Sequence, residues 1–342
     1  MNVSIKGQIV REYLSKYPEM PKKTMARLIE KENKEVFTDY EQIRKLIGYH
    51  TGANGDHSRK ILSDKTFLRE LKTNGENLLA KKGIELPEGL TTLDKWQLFK
   101  IFGTHKVLIL SDAHIPYHNK KVLELAVNKG KEFEPDIIIL NGDWIDHYSL
   151  SRWEKDPRLR NFSEERKIVL LSFEWLREIF PKSRIIFKMG NHCERYENYM
   201  LLKAPELLGI PNFDFENVFD LNNYGFELVK DMRPIKLNEL FILHGHEYRF
   251  SISNPVNPAR GLFLRAKVNA ICGHFHQASS HSENDIEDKI TATWSTGHLG
   301  DAHPKYMPLN KWNHGFAVVE TNGNKNFQVH NYRIIDNEIF TA

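Results

Sequence analysis

The stretch RIIFKMGNHCER, residues 184–195, changes character halfway along. Ile185, Ile186, Phe187 and Met189 make an apolar run of strand length. Gly190 then hands over to Asn191, His192, Glu194 and Arg195. A short apolar run that stops at glycine reads as a buried strand rather than a helix. A glycine turn into polar residues is ordinary loop chemistry. It becomes informative only if other strands deliver similar groups to the same edge.

Four more runs do so. They are KVLILSDAHIP (106–116), PDIIILNGDWID (135–146), LFILHGHE (240–247) and NAICGHFHQ (269–277). Helical patterns lie between them, KKVLELAVNKG (120–130) after the first and SEERKIVLLSFEWLREIF (163–180) after the second. Near-continuous apolar strands alternating with helices predict an α/β core whose sheet is covered on both faces. In open α/β sheets the carboxyl ends of the strands carry the site. Here those ends supply Asp112 and His114, Asp143 and Asp146, Asn191 and His192, His244 and His246, and His274 and His276. The spacing predicts one sheet edge for all of them. A single Asp-x-His after a strand is usually a turn with a surface histidine, so the weight lies in the ordered set. Hard oxygens mixed with imidazoles suit Mn, Fe, Zn or similar divalent ions.

Composition bounds what else the chain can be. Its 342 residues suffice for one large domain or two. A hydrophobic content of 40% and a charged content of 27% are those of a soluble globular protein. Only two cysteines occur, Cys193 and Cys272, so there is no disulfide framework and no thiolate zinc site. Each reads as a small buried residue. No apolar run approaches the ~18 residues of a membrane span, and the expectation is a cytoplasmic protein without membrane contact.

The five motifs together resemble the signature of the calcineurin-like metallophosphoesterase superfamily: DAH, GDWID, GNHCE, HGH and GHFH, in order, over about residues 106–280. The resemblance implies an α/β fold, a two-sheet α/β/β/α sandwich, with ITATWSTG (290–297), HGFAVVE (314–320) and NFQVHNYRII (326–335) as strands for the second sheet. It implies that Asp112, His114 and His276 bind one metal and that Asn191, His244 and His274 bind a second, with Asp143 bridging. His192 becomes the catalytic histidine and Asp146 its orienting partner. The implied cofactors are two divalent ions, manganese first, with Fe, Zn, Ni or Mg as alternatives. The implied reaction is hydrolysis of a phosphate ester by metal-bound hydroxide.

Elementary chemistry supports that set. Phosphate esters are anionic and repel hydroxide. Two metals about 3.5–4 Å apart hold the phosphate oxygens and lower the pKa of a bound water. A carboxylate can span such a pair. Asn191 would supply a neutral oxygen, and His192 could protonate the leaving oxygen. Arg195 reads either as a phosphate clamp or as an ion-pair partner of Glu194 or Glu197. His246 reads as a supporting or a structural histidine. His298, His303 and His314 lie in a loop-rich stretch that either rims the site or holds structural and merely exposed histidines, and Tyr306 and Trp312 there would stack on a base or pack.

Residues 1–60 read as a separate helical unit, of helix-turn-helix type or another small bundle, followed by a mixed segment at 61–105 and the main domain at 106–342. SIKGQIVREYLSKY (4–17) has Ser4 as its cap, PKKTMARLIEKE (21–32) opens on proline, and TDYEQIRKLIGYH (38–50) has Thr38 and Glu41 at capping-box spacing. Residues 1–100 hold 19 Lys/Arg against 14 Asp/Glu, whereas the rest holds 29 against 31. Lys22, Lys23, Arg27, Arg44, Lys45, Arg59 and Lys60 are therefore candidate phosphate contacts, or a solvated helical surface. The expected function is a dinuclear metal-dependent phosphoesterase acting on nucleic acid, a phosphodiesterase or nuclease. A phosphomonoesterase is the alternative within the class, and a non-catalytic DNA-binding protein on the same scaffold the alternative outside it.

Overall fold

Strand alternation sorts the core into layers. In β2 (Lys106–Leu110), Val107 and Ile109 join one buried cluster while Leu108 and Leu110 join another. β3 (Ile137–Asn141) and β4 (Arg184–Lys188) divide in the same way, because successive side chains on a strand point to opposite faces. The computed structural model describes residues 4–52, 87, 89, 96–159, 161–248, 256–323 and 325–341. The chain divides into two compact units, Met1–Thr92 and Leu93–Ala342.

The first unit contains α1 (Ile5–Lys16), α2 (Lys22–Glu32) and α3 (Tyr40–Thr51). Val10, Met25, Ala26, Ile29, Phe37, Ile43 and Ile47 form their common core. Ser4 caps α1, its hydroxyl accepting from the Gly7 amide at 3.2 Å. The capping box expected from Thr38 and Glu41 does not form. Asp39 caps α3 instead, accepting from the Glu41 amide at 3.0 Å, because the helix starts one residue later. Lys22, Lys23, Arg27, Arg44 and Lys45 are all exposed. Arg59 and Lys60 lie outside the described residues.

The second unit is a two-sheet α/β/β/α sandwich. The seven-stranded sheet has the order β13-β12-β11-β2-β3-β4-β5. Its β2, β3, β4 and β5 (Phe226–Val229) run parallel. The antiparallel β11 (His314–Asn322), β12 (Asn326–Ile335) and β13 (Glu338–Thr341) extend it. The six-stranded sheet has the order β1-β6-β7-β8-β10-β9. It comprises β1 (Phe99–Ile101), β6 (Ile235–Leu237), β7 (Leu240–Leu243), β8 (Ala270–Cys272), β9 (Ser279–Asn284) and β10 (Ile290–Ser295). Ile109, Ile139, Ile186, Leu240, Ile242 and Ile271 pack in the cluster shared by both sheets. On the outer face of the first sheet lie α4 (Lys120–Phe133) and α5 (Phe162–Ile179), packed on Leu108, Ile138 and Phe187. α8 (Pro258–Ala266) packs through Leu262 on Leu243, Ala270 and Cys272 of the second. Two further helices, α6 (Glu194–Lys203) and the short α7 (Phe215–Val218), follow β4.

Three expectations change. The five motif-bearing strands do not share one sheet: β2, β3 and β4 belong to one, and β7 and β8 to the other. Apolar runs buried on both faces have the same composition whichever sheet they join. HGFAVVE and NFQVHNYRII extend the first sheet, whereas ITATWSTG joins the second as expected. Residues 99–101, before the expected start of the domain at 106, form β1 and pair with β6. Three residues are too few for a periodic signal. Among the described residues, no helix is long and apolar enough to cross a membrane.

Candidate metal centre

The carboxyl ends of β2, β3 and β4 meet those of β7 and β8, and the motif residues converge there. Their backbone is unusual. Asp112, His114, Asp143, His274 and His276 all have positive φ, between 48° and 68°. The left-handed region costs an ordinary L-residue roughly 1–2 kcal/mol. Such outliers cluster where the surroundings fix a functional geometry. The glycines that open these loops make room for the carboxylates. A Cβ on Gly190 would lie 2.3 Å from Asp143 Oδ1, and one on Gly273 would lie 2.6 Å from Asp112 Oδ2.

Backbone amides orient both carboxylates. The His192 amide donates to Asp143 Oδ1 at 2.8 Å, and the His274 amide donates to Asp112 Oδ2 at 2.9 Å. Each carboxylate is left with one oxygen facing the histidines. Asp112 Oδ1 is fully buried, makes no hydrogen bond, and lies 3.3 Å from His276 Nε2. His114 Nε2 faces His276 Nε2 at 3.2 Å. Asp143 Oδ2 lies 3.1 Å from His244 Nε2, which is also 3.2 Å from Asn191 Oδ1.

The outward ring nitrogens are tied down. His114 Nδ1 donates to Asp146 Oδ1 at 2.9 Å, and His244 Nδ1 donates to the Asn141 carbonyl at 2.9 Å. Partners of this kind select the tautomer and turn the free Nε2 inward, as around metal-ligating histidines. Asp112, His114 and His276 form one group of inward donors, and Asp143, His244 and His274 a second. Asp143 also groups with His114 and His192, which puts it between the two sets. The orphaned Asp112 Oδ1 beside His276 and His114, and the Asp143 Oδ2, His244 Nε2 and Asn191 Oδ1 cluster beside it, make an oxygen and imidazole donor set that fits a pair of divalent cations.

Electrostatics agree. Burial alone would raise the Asp112 carboxyl, but His244 and His276 beside it bring it below its ordinary value. The same opposition holds Asp143 well below the carboxylate range, through His244 and His192. Burial would lower His244, yet the Asp143 and Asp112 carboxylates push it up to about 10. The negative charge of the cluster thus draws in a cation. His274 is lowered to about 3 by burial and by His244, so it is a neutral imidazole, the ligating form.

Asp146 does more than expected. Its Oδ1 accepts from both His192 Nδ1 and His114 Nδ1, each at 2.9 Å. Among the described residues, Arg195 makes no ion pair with Glu194 or Glu197. It donates to the Asp146 carbonyl and to His192 Nε2, each at 2.9 Å. Glu194 instead meets His246 Nε2 at 3.1 Å. His298 stacks flat on His276 at 4.8 Å, and His314 stacks on His298 at 4.6 Å. Trp312 packs edge-on against His276 at 4.3 Å. His298, His314 and Trp312 therefore back the site rather than rim it, while Tyr306 and His303 are exposed. Cys193 and Cys272 are buried thiols, outside the inward donor groups. Burial pushes Cys193 up to about 12.

Three supporting residues escaped the sequence reading. Asn141 joins the two sheets, its side chain donating to the Leu243 carbonyl at 2.8 Å. His147, lowered to about 4 by burial, donates to the His192 carbonyl at 2.9 Å and fixes that loop. Lys188 is 1% exposed and pairs with Glu247 at 2.8 Å. Glu247 in turn accepts from the His244 and Gly245 amides. A lysine inside an apolar strand run was the available signal. Breaking a buried pair leaves an uncompensated charge, so Lys188→Met is expected to destabilise the fold by about 3–5 kcal/mol. Denaturant unfolding followed by circular dichroism would measure it; a loss below about 1 kcal/mol would contradict a supporting role for the pair.

The sequence was compared with protein families, other proteins and solved structures. The sequence profile described as calcineurin-like phosphoesterase matches residues 105–298. The gene 54 protein of Mycobacterium phage L5 is 24% identical over 232 residues, covering 64% of this chain and 89% of the phage protein. Its counterpart in Mycobacterium phage D29 is 24% identical over 233 residues, covering 64% and 90%. Among solved structures, Vacuolar Protein Sorting 29 from Cryptosporidium parvum aligns with 71% of this chain and 97% of its own, at 16% identity and a TM-score of 0.37. A single mutant of Vps29 from Entamoeba histolytica aligns with 69% and 97%, at 12% identity and a TM-score of 0.37.

Proposed function

Because this chain belongs to the calcineurin-like phosphoesterase family and is a metal-dependent hydrolase of phosphate esters, we propose that its substrates are nucleic-acid phosphodiesters. The observation that carries the catalytic part is the convergence of two groups of buried inward donors around Asp143. Asp112, His114 and His276 would hold one ion and His244, His274 and Asn191 the other, with Asp143 shared between them. Manganese is the first choice for both positions. When bound, the ions polarise the phosphate and make a water nucleophilic at neutral pH.

The chain's own residues do the rest. Asn191 would ligate without adding charge, which would limit repulsion of an anionic substrate. Asp146 holds His192 through Nδ1, so that Nε2, once released by Arg195 and protonated from solvent, is the atom that would pass a proton to the leaving oxygen. In this structure Arg195 sits on that Nε2. Substrate binding moves the guanidinium onto a phosphate oxygen, for which its planar fork is suited. Arg195 thus guards His192 in the free enzyme and clamps the phosphate in the complex.

The nucleic-acid part rests on the N-terminal unit, whose α2 and α3 expose Lys22, Lys23, Arg27, Arg44 and Lys45. Arg44→Gln with Lys45→Gln is expected to weaken binding to DNA or RNA. Every phosphate that is no longer neutralised should flatten the dependence of log affinity on log salt by roughly 0.9 for a duplex and 0.7 for a single strand. Titrations of a labelled oligonucleotide at several salt concentrations test this, and an unchanged slope would sink the role. The function as a whole is tested by a manganese-supplemented panel: bis-p-nitrophenyl phosphate, p-nitrophenyl phosphate, single- and double-stranded DNA, and a phosphopeptide. Hydrolysis of the diester and of DNA is expected. Hydrolysis of monoesters alone would move the activity to a phosphomonoesterase.

A further inference from the structure

Three loops at the metal centre, residues 114–119, 147–159 and 298–313, expose aromatic rings that the ligand set does not use. Backbone contacts join the first to the third. The Asp301 amide donates to the Tyr117 carbonyl at 2.9 Å, the Asn119 amide donates to the Leu299 carbonyl at 2.9 Å, and His118 bridges to Gly300. The second meets the first where Tyr117 and Tyr148 pack edge to face at 5.7 Å. Lys305 of the third approaches Asp156 of the second at 4.0 Å.

On this rim Tyr117, Trp153 and Tyr306 are 38%, 66% and 67% exposed. Tyr306 touches Trp312 at 6.2 Å, and Trp312 touches the ligand His276 at 4.3 Å. Tyr117 follows closely on His114, and its amide donates to the His114 carbonyl at 2.6 Å. Cations are interleaved with the rings. Arg152 lies 4.9 Å over the Trp153 ring, and Lys305 and Lys311 are exposed beside Tyr306 and Trp312. The acidic Asp156 there is already matched by Arg158 at 2.6 Å.

Exposed rings alternating with cations suit a ligand with flat apolar faces and anionic links. An unpaired base with its phosphates has that chemistry; a duplex does not, since its base faces are stacked inside. We infer that Tyr306, Tyr117 and Trp153 form a stacking wall that takes a base of a single-stranded nucleic acid beside the scissile phosphate. The inference rests on the nucleic-acid reading above and narrows it to single strands.

The test uses the full chain loaded with Mn²⁺ and measures inhibition of p-nitrophenyl ester hydrolysis at fixed salt. The competitors are a thymidine tetramer, an abasic tetramer of the same length, and a short duplex. The thymidine tetramer should compete best. Tyr306→Ala should raise its inhibition constant by roughly 5- to 150-fold, the range that base–aromatic stacking spans. Tyr306→Phe, which keeps the ring, should preserve it, and Trp153→Ala should act like Tyr306→Ala. Equal competition by the thymidine and abasic tetramers would overturn the wall while leaving backbone recognition intact. So would a duplex that competes as well as the single strand, or a Tyr306→Phe as weak as Tyr306→Ala. If no tetramer or duplex competes while the ester is still hydrolysed, the nucleic-acid reading falls and takes the wall with it.

Discussion

Replacing His192 with alanine is expected to slow turnover by roughly 10²–10⁴-fold, the usual contribution of a positioned general acid. Both metals should remain bound. The reason is local. His192 Nδ1 is committed to Asp146 at 2.9 Å, and Nε2 meets Arg195, so neither nitrogen is aimed as a ligand in the way His114 Nε2 and His276 Nε2 are. His192 also lies close enough to His114 and Asp143 for the opposite role to be a real competitor. Leaving groups separate the two. An acid matters most when the leaving oxygen is basic, so a p-nitrophenyl ester should lose less than an alkyl ester. Loss of metal from His192→Ala, or an equal loss for all leaving groups, would make His192 a ligand instead.

Asp143→Asn should have the largest effect of any single change. Asp143 lies between the two donor groups, and one of its oxygens is already held by the His192 amide at 2.8 Å. The amide supplies no charge to either ion. It also removes a carboxylate that now opposes the charge of His244. Losing the several kcal/mol that a metal pair supplies to the transition state corresponds to a rate loss on the order of 10³-fold or more. Metal content should fall in parallel, measured by elemental analysis after dialysis. A similar change at His246, which pairs with Glu194 at 3.1 Å, should leave metal content nearly intact. Equal effects at the two positions would remove Asp143 from the centre of the site.

Much of this site was legible because its residues follow directly on apolar runs. Asp112, Asp143, Asn191, His244 and His274 each lie within two residues of a strand or of the glycine that ends it. Local patterning could not say which runs share a sheet, since β7 and β8 are as uniformly apolar as β2 and β3. Nor could it find relations made only in three dimensions. The double load on Asp146 joins His114 and His192, which are far apart in sequence. The placement of Arg195 on His192 depends on the turn at 191–193 that leads into α6, and the Lys188–Glu247 pair depends on β4 facing β7 across the sandwich. A polar loop left His298 and Trp312 open to a rim or a packing role. They pack behind His276 because β11 returns to the first sheet there.

The metal stoichiometry of the intact chain tests the two-ion centre most directly. The protein would be stripped, reloaded with excess Mn²⁺, freed of loose ions by gel filtration, and assayed by elemental analysis. Anomalous scattering from crystals would locate the ions. Two ions per chain are expected, one within ligand distance of Asp112, His114 and His276, the other of Asn191, His244 and His274, with Asp143 touching both. One ion or none under these conditions, or two ions without a shared Asp143, would contradict the dinuclear site.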